Sequence, residues 1–219
     1  MASFVVHTIP GSPAARAVLA ALIEKGEQFR VAALVPGAHK MAPHLSRNPF
    51  GKMPVLEHAG MTLYETQAIL RYLDRILNGD SLTPVDPREA ARMDQLMGIS
   101  DWYLFQGVNN VIGFQRIVGP RLMGLIPDEA VIERAMPLAE TVFGEMSRLL
   151  GSKDYLASST LTLADLMVAP HMDFLAQTPE WTRLTKGRSN LPQWLARMNE
   201  RTSMKKTTWD AVSDLAKAS

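Results

Sequence analysis

The first third of the chain alternates between strand-like and helix-like spacing of its hydrophobic positions. Short apolar runs at 4–8 and 29–35 predict two strands, and the segment 13–25 between them has the spacing of a helix. A hairpin with its turn at 58–60 follows, and its second strand leads into another helix. The pattern therefore predicts a βαβ unit followed by ββα over residues 1–78.

A short segment at 79–87 separates this part from the rest of the chain. Its glycine, proline, serine and aspartate residues are typical of turns, which predicts a linker. Beyond it the spacing is helical, so residues 88–219 are predicted to form an all-α domain. The predicted helices are, in order, 88–114, 128–150 with Pro137 expected to bend it, 163–176, 191–201 and 204–217.

The composition narrows the classes of function. A chain of 219 residues with 47% hydrophobic residues can bury a full core, and a net charge of +1 gives no positive field of the kind that nucleic acid requires. The sequence has no basic, apolar leader and no run of about 18 apolar residues, so we expect a soluble, cytoplasmic protein without a membrane partner. Because cysteine is absent, any sulfur chemistry has to come from a ligand.

The segment 48–69 contains the most specific pattern in the chain. Its two motifs are Asn-Pro-Phe-Gly-Lys-Met-Pro-Val-Leu and, after one turn, Leu-Tyr-Glu-Thr-Gln-Ala-Ile. Proline at the start of a strand loses no ladder hydrogen bond, and we hypothesise a cis Met53-Pro54 bond that turns the N–H and C=O of Met53 towards a peptide laid alongside. Glu65 and Thr66 stand at a helix start, where N–H groups and a hydroxyl favour an anion and the Glu65 carboxylate can receive an ammonium.

A ligand that is peptide-like in its middle, with a carboxylate and an ammonium at one end, fits these groups, and glutathione is such a ligand. The motifs resemble the glutathione-binding half of the cytosolic glutathione S-transferases, whose usual form is NPxGxxPxL followed by a helix that starts E-S-x-A-I. Thr66 replaces the commoner serine and keeps the hydroxyl, and Lys52 replaces the commoner glutamine and adds a cation. Tyr155-Leu156-Ala157 and the segment 162–165 extend the resemblance over nearly the whole chain. It implies an α+β, thioredoxin-like N-terminal domain and an all-α C-terminal domain.

Ser12 is the candidate catalytic residue. It lies between the first strand and a helix that would begin at Pro13, which is the position of a helix N-cap. A capping serine accepts with a lone pair and keeps its proton, which can be donated to the glutathione sulfur and favour the thiolate. The distance in sequence from Ser12 to Glu24-Lys25-Gly26 is similar to that in serine-type transferases. Thr8 is a weaker candidate because it ends the strand, and His7 is interpreted as a core or surface residue of that strand.

Basic residues supply the cations that the two carboxylates of glutathione need. Gly37-Ala38-His39-Lys40 resembles the Gly-x-His-Lys segment of the plant-type phi class, in which that pair binds the glycine carboxylate, although a His-Lys pair in a loop is otherwise typical of a solvated surface. The chain is accordingly identified as a phi-like, serine-type bacterial member. His39 and His44 lack the spacing of a helical metal pair, so no metal is predicted. The predicted glutathione-binding residues are His39, Lys40, Lys52, Met53, Pro54, Glu65 and Thr66.

An electrophilic second substrate is expected to bind in an apolar pocket between the two domains. Aromatic residues at helical spacing also form cores, so only the group is a prediction. Phe50, a large apolar residue in a turn, could fold back onto its own domain, but the resemblance implies insertion into a neighbouring subunit and hence a homodimer. The candidate electrophile residues are Ile9, Trp102, Tyr103, Phe105, Gln106, Asn109 and Phe114.

These features predict a detoxification enzyme that transfers glutathione thiolate to an electrophilic carbon of a small, mostly apolar substrate. Glutathione is the co-substrate. Two alternatives stay open: the same site could serve as a peroxidase, dehalogenase or isomerase, or the fold could be a non-catalytic glutathione-binding or interaction module. Thr162-Leu163-Ala164-Asp165 is interpreted as a capping box at a buried helix start and is assigned no ligand.

Overall fold

The structure is a computed structural model, and it describes residues 4–218. The chain forms two compact units: the first runs to Ser81 and also includes the segment from Asn199 onward, and the second spans Leu82–Met198. The predicted domain bounds of 1–78, 79–87 and 88–219 stay a prediction. The compact units differ from those bounds because the C-terminal segment packs on the first unit.

A four-stranded sheet in the order β2-β1-β3-β4 forms the centre of the first unit. β1 (Phe4–Thr8) and β2 (Phe29–Ala33) are parallel, and β3 (Val55–His58) and β4 (Met61–Tyr64) continue the sheet in antiparallel pairs. The predicted βαβ–ββα order of a thioredoxin-like domain is confirmed.

Helices connect and cover this sheet. α1 (Pro13–Glu24) lies between β1 and β2 in sequence, and α2 (Ala42–Leu45) follows a 3-10 turn at Ala38–Lys40. α3 (Thr66–Ile76) follows β4 and packs on α1. The sequence pattern predicted α1 and α3 but neither of the two short elements, because three or four residues show no periodicity.

The second unit is helical. Its helices are, in chain order, α4 (Pro87–Ile99), a π-helix (Ser100–Val118), α5 (Gly119–Met123), α6 (Glu129–Leu150), α7 (Leu163–Leu175), α8 (Glu180–Thr185) and α9 (Asn190–Asn199), whose last residue belongs to the first unit. The helical content predicted for this part of the chain is confirmed. No helix within residues 4–218 is long and apolar enough to cross a membrane.

The helix predicted over 88–114 changes type at Ser100. From there the backbone has π-helical bonding up to Val118, and the N–H of Gly119 donates to the carbonyl of Phe114, five residues earlier. Long π-helices are rare. The hydrophobic pattern could not reveal this one, because the spacing of apolar residues does not report which carbonyl each N–H bonds.

Two glycines allow the π-helix to pack closely on its neighbours. A Cβ at Gly107 would overlap the side chain of Leu138 on α6, and a Cβ at Gly113 would lie 2.9 Å from the ring of Phe174 on α7. A side chain at Gly107 would require the flexible end of Leu138 to move, and one at Gly113 would crowd the ring of Phe174.

The capping box predicted at 162–165 is confirmed at the start of α7. Asp165 Oδ2 accepts the N–H of Thr162 at 2.9 Å, and Oδ1 accepts the N–H of Leu156 and Nε1 of Trp194. The carboxylate is fully buried and binds three parts of the second unit to one another.

The helix predicted over 204–217 is wrong: two helices, α10 (Thr202–Lys205) and α11 (Trp209–Ala218), occupy this segment. Thr207 Oγ1 donates to the carbonyl of Ser203 at 2.6 Å, which ends α10, and Thr208 Oγ1 accepts the N–H of Ala211 at 3.3 Å, which caps α11. Threonine side chains that compete for backbone groups in this way interrupt a helix.

Candidate active site

Three strands end, and the fourth begins, at the same end of the sheet. Thr8 pairs with Ala33, and His7 pairs with Val55, which in turn pairs with Tyr64. The C-terminal ends of β1, β2 and β4 therefore lie beside the beginning of β3. The loops at this end contain Ser12, His39, Lys40, Lys52, Met53, Pro54, Glu65 and Thr66, which are the predicted catalytic and glutathione-binding residues.

Ser12 is the N-cap of α1, as its position in the sequence predicted. Its Oγ accepts the N–H of Ala15 at 3.3 Å, and Pro13 follows at the first helical position. That bond uses a lone pair of the hydroxyl and leaves its proton available. Because Ser12 also lies at the positive end of the α1 dipole, it is suited to donate a hydrogen bond to an anion outside the helix.

The two competing residues on β1 are engaged inside the sheet. Thr8 is fully buried, and its hydroxyl donates to the carbonyl of Ile9 at 3.0 Å. His7 is buried with Nε2 3.0 Å from Glu57 Oε2, and burial lowers the pKa of His7 although Glu57 acts in the opposite direction. The sequence left open whether His7 is a core or a surface residue of the strand, and its burial places it in the core.

Met53 lies next to the loop that contains Ser12. The Met53-Pro54 bond is cis, as hypothesised. Met53 Sδ accepts the N–H of Ile9 at 3.3 Å, whereas its own N–H and C=O have no hydrogen-bond partner among residues 4–218. A backbone unit in this state just before a strand begins can pair with an extended peptide.

His44 and Asn48 both bind the peptide unit before Met53, and the sequence alone predicted neither role. Nε2 of the buried His44 lies 2.8 Å from the carbonyl oxygen of Lys52, and Asn48 Nδ2 donates to the same oxygen at 3.1 Å. The Asn-Pro start of the motif was a signal for Asn48. No local pattern identifies His44, because the carbonyl lies eight residues away from it.

The loop that contains His39 and Lys40 packs against Gly51. Gly51 has φ 58°, and a Cβ there would lie 2.9 Å from the His39 carbonyl oxygen and 3.0 Å from Lys40 Nζ. Lys40 Nζ also donates to the carbonyl of Phe50 at 3.4 Å. The glycine of the motif is therefore required for a close approach, and the approach places the basic loop beside the turn that leads to Lys52.

His39, Lys40 and Lys52 form one group of basic side chains. Burial, followed by the positive charges of Lys40, His44 and Lys52, lowers the pKa of His39. His39 is consequently neutral at pH 7 without a bound anion, and Nδ1 of its ring is buried and makes no hydrogen bond within the described part of the chain.

Glu65 starts α3 with an unusual backbone conformation. Its φ of 70° and ψ of 116° lie outside the regions that non-glycine residues prefer, and such a residue costs of order 1–3 kcal/mol. The Glu65 side chain is exposed, whereas Thr66, the first helical residue, is largely buried. Strain of this kind is typical of ligand sites, where a side chain has to be presented at a fixed angle.

The candidate electrophile residues of the second unit lie on the π-helix and fall into two groups. Trp102 and Tyr103 are 75% and 53% exposed, and Gln106 is also exposed. These three side chains are available to a ligand.

The other candidates have contacts within their own unit. Asn109 is buried and its Nδ2 donates to the carbonyl of His171 at 3.2 Å, and the ring of Phe105 lies 5.7 Å from that of His171. Phe114 is half-buried, as is Ile9 in the first unit. Asn109 and Phe105 therefore have a structural role that the aromatic pattern alone could not separate from binding.

The described residues contain no group of three or more His, Asp and Glu side chains arranged to hold a metal ion.

Comparisons with known proteins identify the family. The sequence matches the N-terminal domain of glutathione S-transferase over residues 2–75 and its C-terminal domain over residues 129–197. Glutathione S-transferase F7 of Arabidopsis thaliana is 33% identical over 211 residues, which cover 94% of this chain and 99% of the relative. The chain belongs to the glutathione S-transferase family.

Solved structures with a similar fold belong to the same family. The crystal structure of glutathione transferase F7 from Populus trichocarpa has a TM-score of 0.82 and 28% identity, and the match covers 97% of this chain and 99% of that one. A structure of glutathione S-transferase I bound to lactoylglutathione has a TM-score of 0.82 and 26% identity, with 98% and 100% of the two chains covered.

Proposed function

We propose that this protein is a phi-like, serine-type glutathione transferase that conjugates glutathione thiolate to small apolar electrophiles. Membership of the family supports the reaction class, since the Arabidopsis relative has the name of a glutathione S-transferase and glutathione S-transferase I binds a glutathione derivative. The single observation that carries the proposal is the position of Ser12 as a helix cap beside Met53, whose backbone N–H and C=O have no partner in the described part of the chain.

Glutathione would lie across the end of the sheet. Its central peptide would pair with the backbone of Met53 next to Pro54, and its γ-glutamyl end would reach the start of α3, where Glu65 receives the ammonium and the N–H groups and Thr66 receive the carboxylate. The remaining carboxylate, on the glycine end, would be bound by the basic group of His39, Lys40 and Lys52.

Ser12 would activate the thiol through a hydrogen bond to the sulfur. A free thiol has a pKa of about 8.5, and each unit by which the pKa falls needs about 1.4 kcal/mol. A hydrogen bond to a charged group contributes roughly 1.5–3 kcal/mol, and the helix end adds to it. The thiol releases its proton to solvent, the thiolate forms a sulfur–carbon bond to the electrophile, and the leaving group departs with its electron pair.

Three further features belong to this proposal. The electrophile would bind to residues that include Trp102, Tyr103 and Gln106. Phe50 is 64% exposed, which leaves it available to insert into a second subunit of a homodimer. The cytoplasmic location stays a prediction.

The test is a pH titration of the ultraviolet thiolate absorption of bound glutathione in wild type and Ser12→Ala. We expect the alanine variant to raise the pKa of the bound thiol by about one unit or more, because the donor to the sulfur is lost. The loss of the cap should also lower the free energy of unfolding by about 1 kcal/mol.

Two further variants act as controls. Ser12→Thr keeps a hydroxyl at the cap and should retain most of the lowered thiol pKa. Thr8→Val removes the hydroxyl of the competing residue and should leave the titration unchanged. An identical thiol pKa in wild type and Ser12→Ala would remove Ser12 from the mechanism.

A further inference from the structure

The C-terminal segment, residues 199–218, contacts α1, the helix that Ser12 caps. The first contact is at the C-terminal end of that helix. Arg201 forms two hydrogen bonds of 2.8 Å to Glu24, and Ser203 Oγ donates to the same carboxylate. Burial would raise the pKa of Glu24, but the hydrogen bonds from Arg201 and Ser203 outweigh it, so the pKa is lowered. The carboxylate is therefore charged at neutral pH and anchors the beginning of the segment.

A second attachment lies near the start of α1. Arg16 Nη2 donates to the carbonyl of Met204 at 3.0 Å, and Arg16 Nε donates to Thr207 Oγ1 at 3.4 Å. The segment therefore follows α1 from its last turn back to its first.

The third attachment is at the turn before Ser12. Ile9-Pro10-Gly11-Ser12 has the features of a type II turn: proline at the second position, φ 89° at Gly11, and the N–H of Ser12 donating to the carbonyl of Ile9 at 3.2 Å. The ring of Trp209, the first residue of α11, packs on the bare backbone of Gly11, since a Cβ there would fall within the ring.

We propose that Trp209 is a positioning residue for Ser12: by covering the Gly11 peptide it fixes the turn that sets where the Ser12 hydroxyl lies. This inference rests on the proposed function, because it gives Trp209 an effect on the glutathione sulfur only through Ser12. A hydroxyl that moves by even an ångström loses much of its hydrogen bond to a thiolate, so a rigid support has a direct chemical effect.

The test is a double-mutant cycle read by the thiolate titration of bound glutathione. Trp209→Ala should raise the pKa of the bound thiol by about half a unit to one unit, which is roughly a threefold to tenfold fall in its ionisation constant. In the Ser12→Ala background the same change should have no further effect, because the hydroxyl that it positions is absent. Glutathione affinity should change less than about threefold, so that kcat falls more than KM rises.

Val212→Ala is the matched control, since Val212 is buried on the same helix. It should weaken the packing of α11 and leave the thiol pKa unchanged. Trp209→Leu, which keeps apolar volume but not the flat ring, provides the same test if the alanine variant does not fold.

An unchanged thiol pKa in Trp209→Ala and Trp209→Leu, or a rise of equal size with and without Ser12, would overturn the inference while leaving the proposed function intact. A thiol pKa that does not respond to Ser12→Ala would instead overturn the proposed function, and the role of Trp209 would fall with it.

Discussion

Glu65 combines a strained backbone with an exposed carboxylate at the start of α3. If the carboxylate receives the ammonium of glutathione, Glu65→Gln removes a charge-assisted hydrogen bond worth roughly 1.5–3 kcal/mol, and the dissociation constant should rise about 10-fold to 100-fold. Isothermal titration calorimetry measures this directly. Glu133→Gln, an exposed glutamate of the second unit, should bind as wild type does. Equal affinity in Glu65→Gln would show that the ammonium is bound elsewhere.

Glu65→Gly separates the backbone conformation from the side chain. Glycine adopts positive φ without a steric penalty, so the variant should raise the free energy of unfolding by about 1 kcal/mol while it weakens glutathione binding as Glu65→Gln does. Urea unfolding followed by circular dichroism gives the first quantity and calorimetry the second. A variant less stable than wild type would mean that the Glu65 conformation stores no strain.

At the scale of single residues, the sequence predicted the roles of residues that act through their own chemistry or belong to a fixed motif. The N-cap position of Ser12 followed from the proline after it, and the cis Met53-Pro54 bond was a sound hypothesis. The positive φ of Glu65 and the bond from His44 to the Lys52 carbonyl had no local signal. Both depend on how neighbouring segments meet, which a linear pattern does not contain.

At the scale of single elements, helix α7 contains a buried histidine, His171, whose charged form gains no hydrogen bond to offset its burial. Burial lowers the pKa of His171 to about 4, and Nδ1 of its ring has no hydrogen-bond partner within residues 4–218. The folded state therefore keeps the ring neutral, whereas the unfolded chain takes up a proton near pH 6.5. Because the unfolded state binds the additional proton, stability is complete above about pH 6.5 and falls as the pH drops towards 4.

We expect the total loss from His171 to approach about 3 kcal/mol over this range, at about 1.4 kcal/mol per unit of pKa difference. Urea unfolding of wild type and His171→Leu at pH 7.5, 6 and 5 isolates this contribution, because leucine cannot titrate. The stability difference between the two proteins should shift in favour of the variant as the pH falls. Parallel pH profiles would show that His171 is protonated without cost in the folded state.

The sheet and the main helices were predictable because alternation with a period of two and spacing near 3.6 are properties of the sequence itself. The change to a π-helix at Ser100 was not, since the spacing of apolar residues does not report which carbonyl each N–H bonds. The break between α10 and α11 came from the hydroxyls of Thr207 and Thr208. The spacing of hydrophobic residues does not show where side chains compete for backbone hydrogen bonds.

At the scale of the whole molecule, the proposed homodimer has a simple test. Phe50 is 64% exposed in a turn, with its ring 6.0 Å from that of Tyr64, and an aromatic side chain left in water is a typical anchor for an interface. Phe50→Ala should shift sedimentation velocity profiles from dimer towards monomer at micromolar concentration. Val85→Ala, at an apolar residue that is 98% exposed, should leave the profile unchanged. A wild-type protein that sediments as a monomer would contradict the proposal outright.

The return of the C-terminal segment to the first unit affects the order in which the newly made chain matures. Arg201 and Ser203 are translated long after Glu24, the carboxylate that they bind, so a nascent chain that ends before Asn199 still lacks part of its opening unit. Synthesis must therefore proceed beyond residue 203 before α1 acquires these anchors. A stop codon a few codons before that of Arg201 would therefore destabilise the first unit as well as shorten the chain.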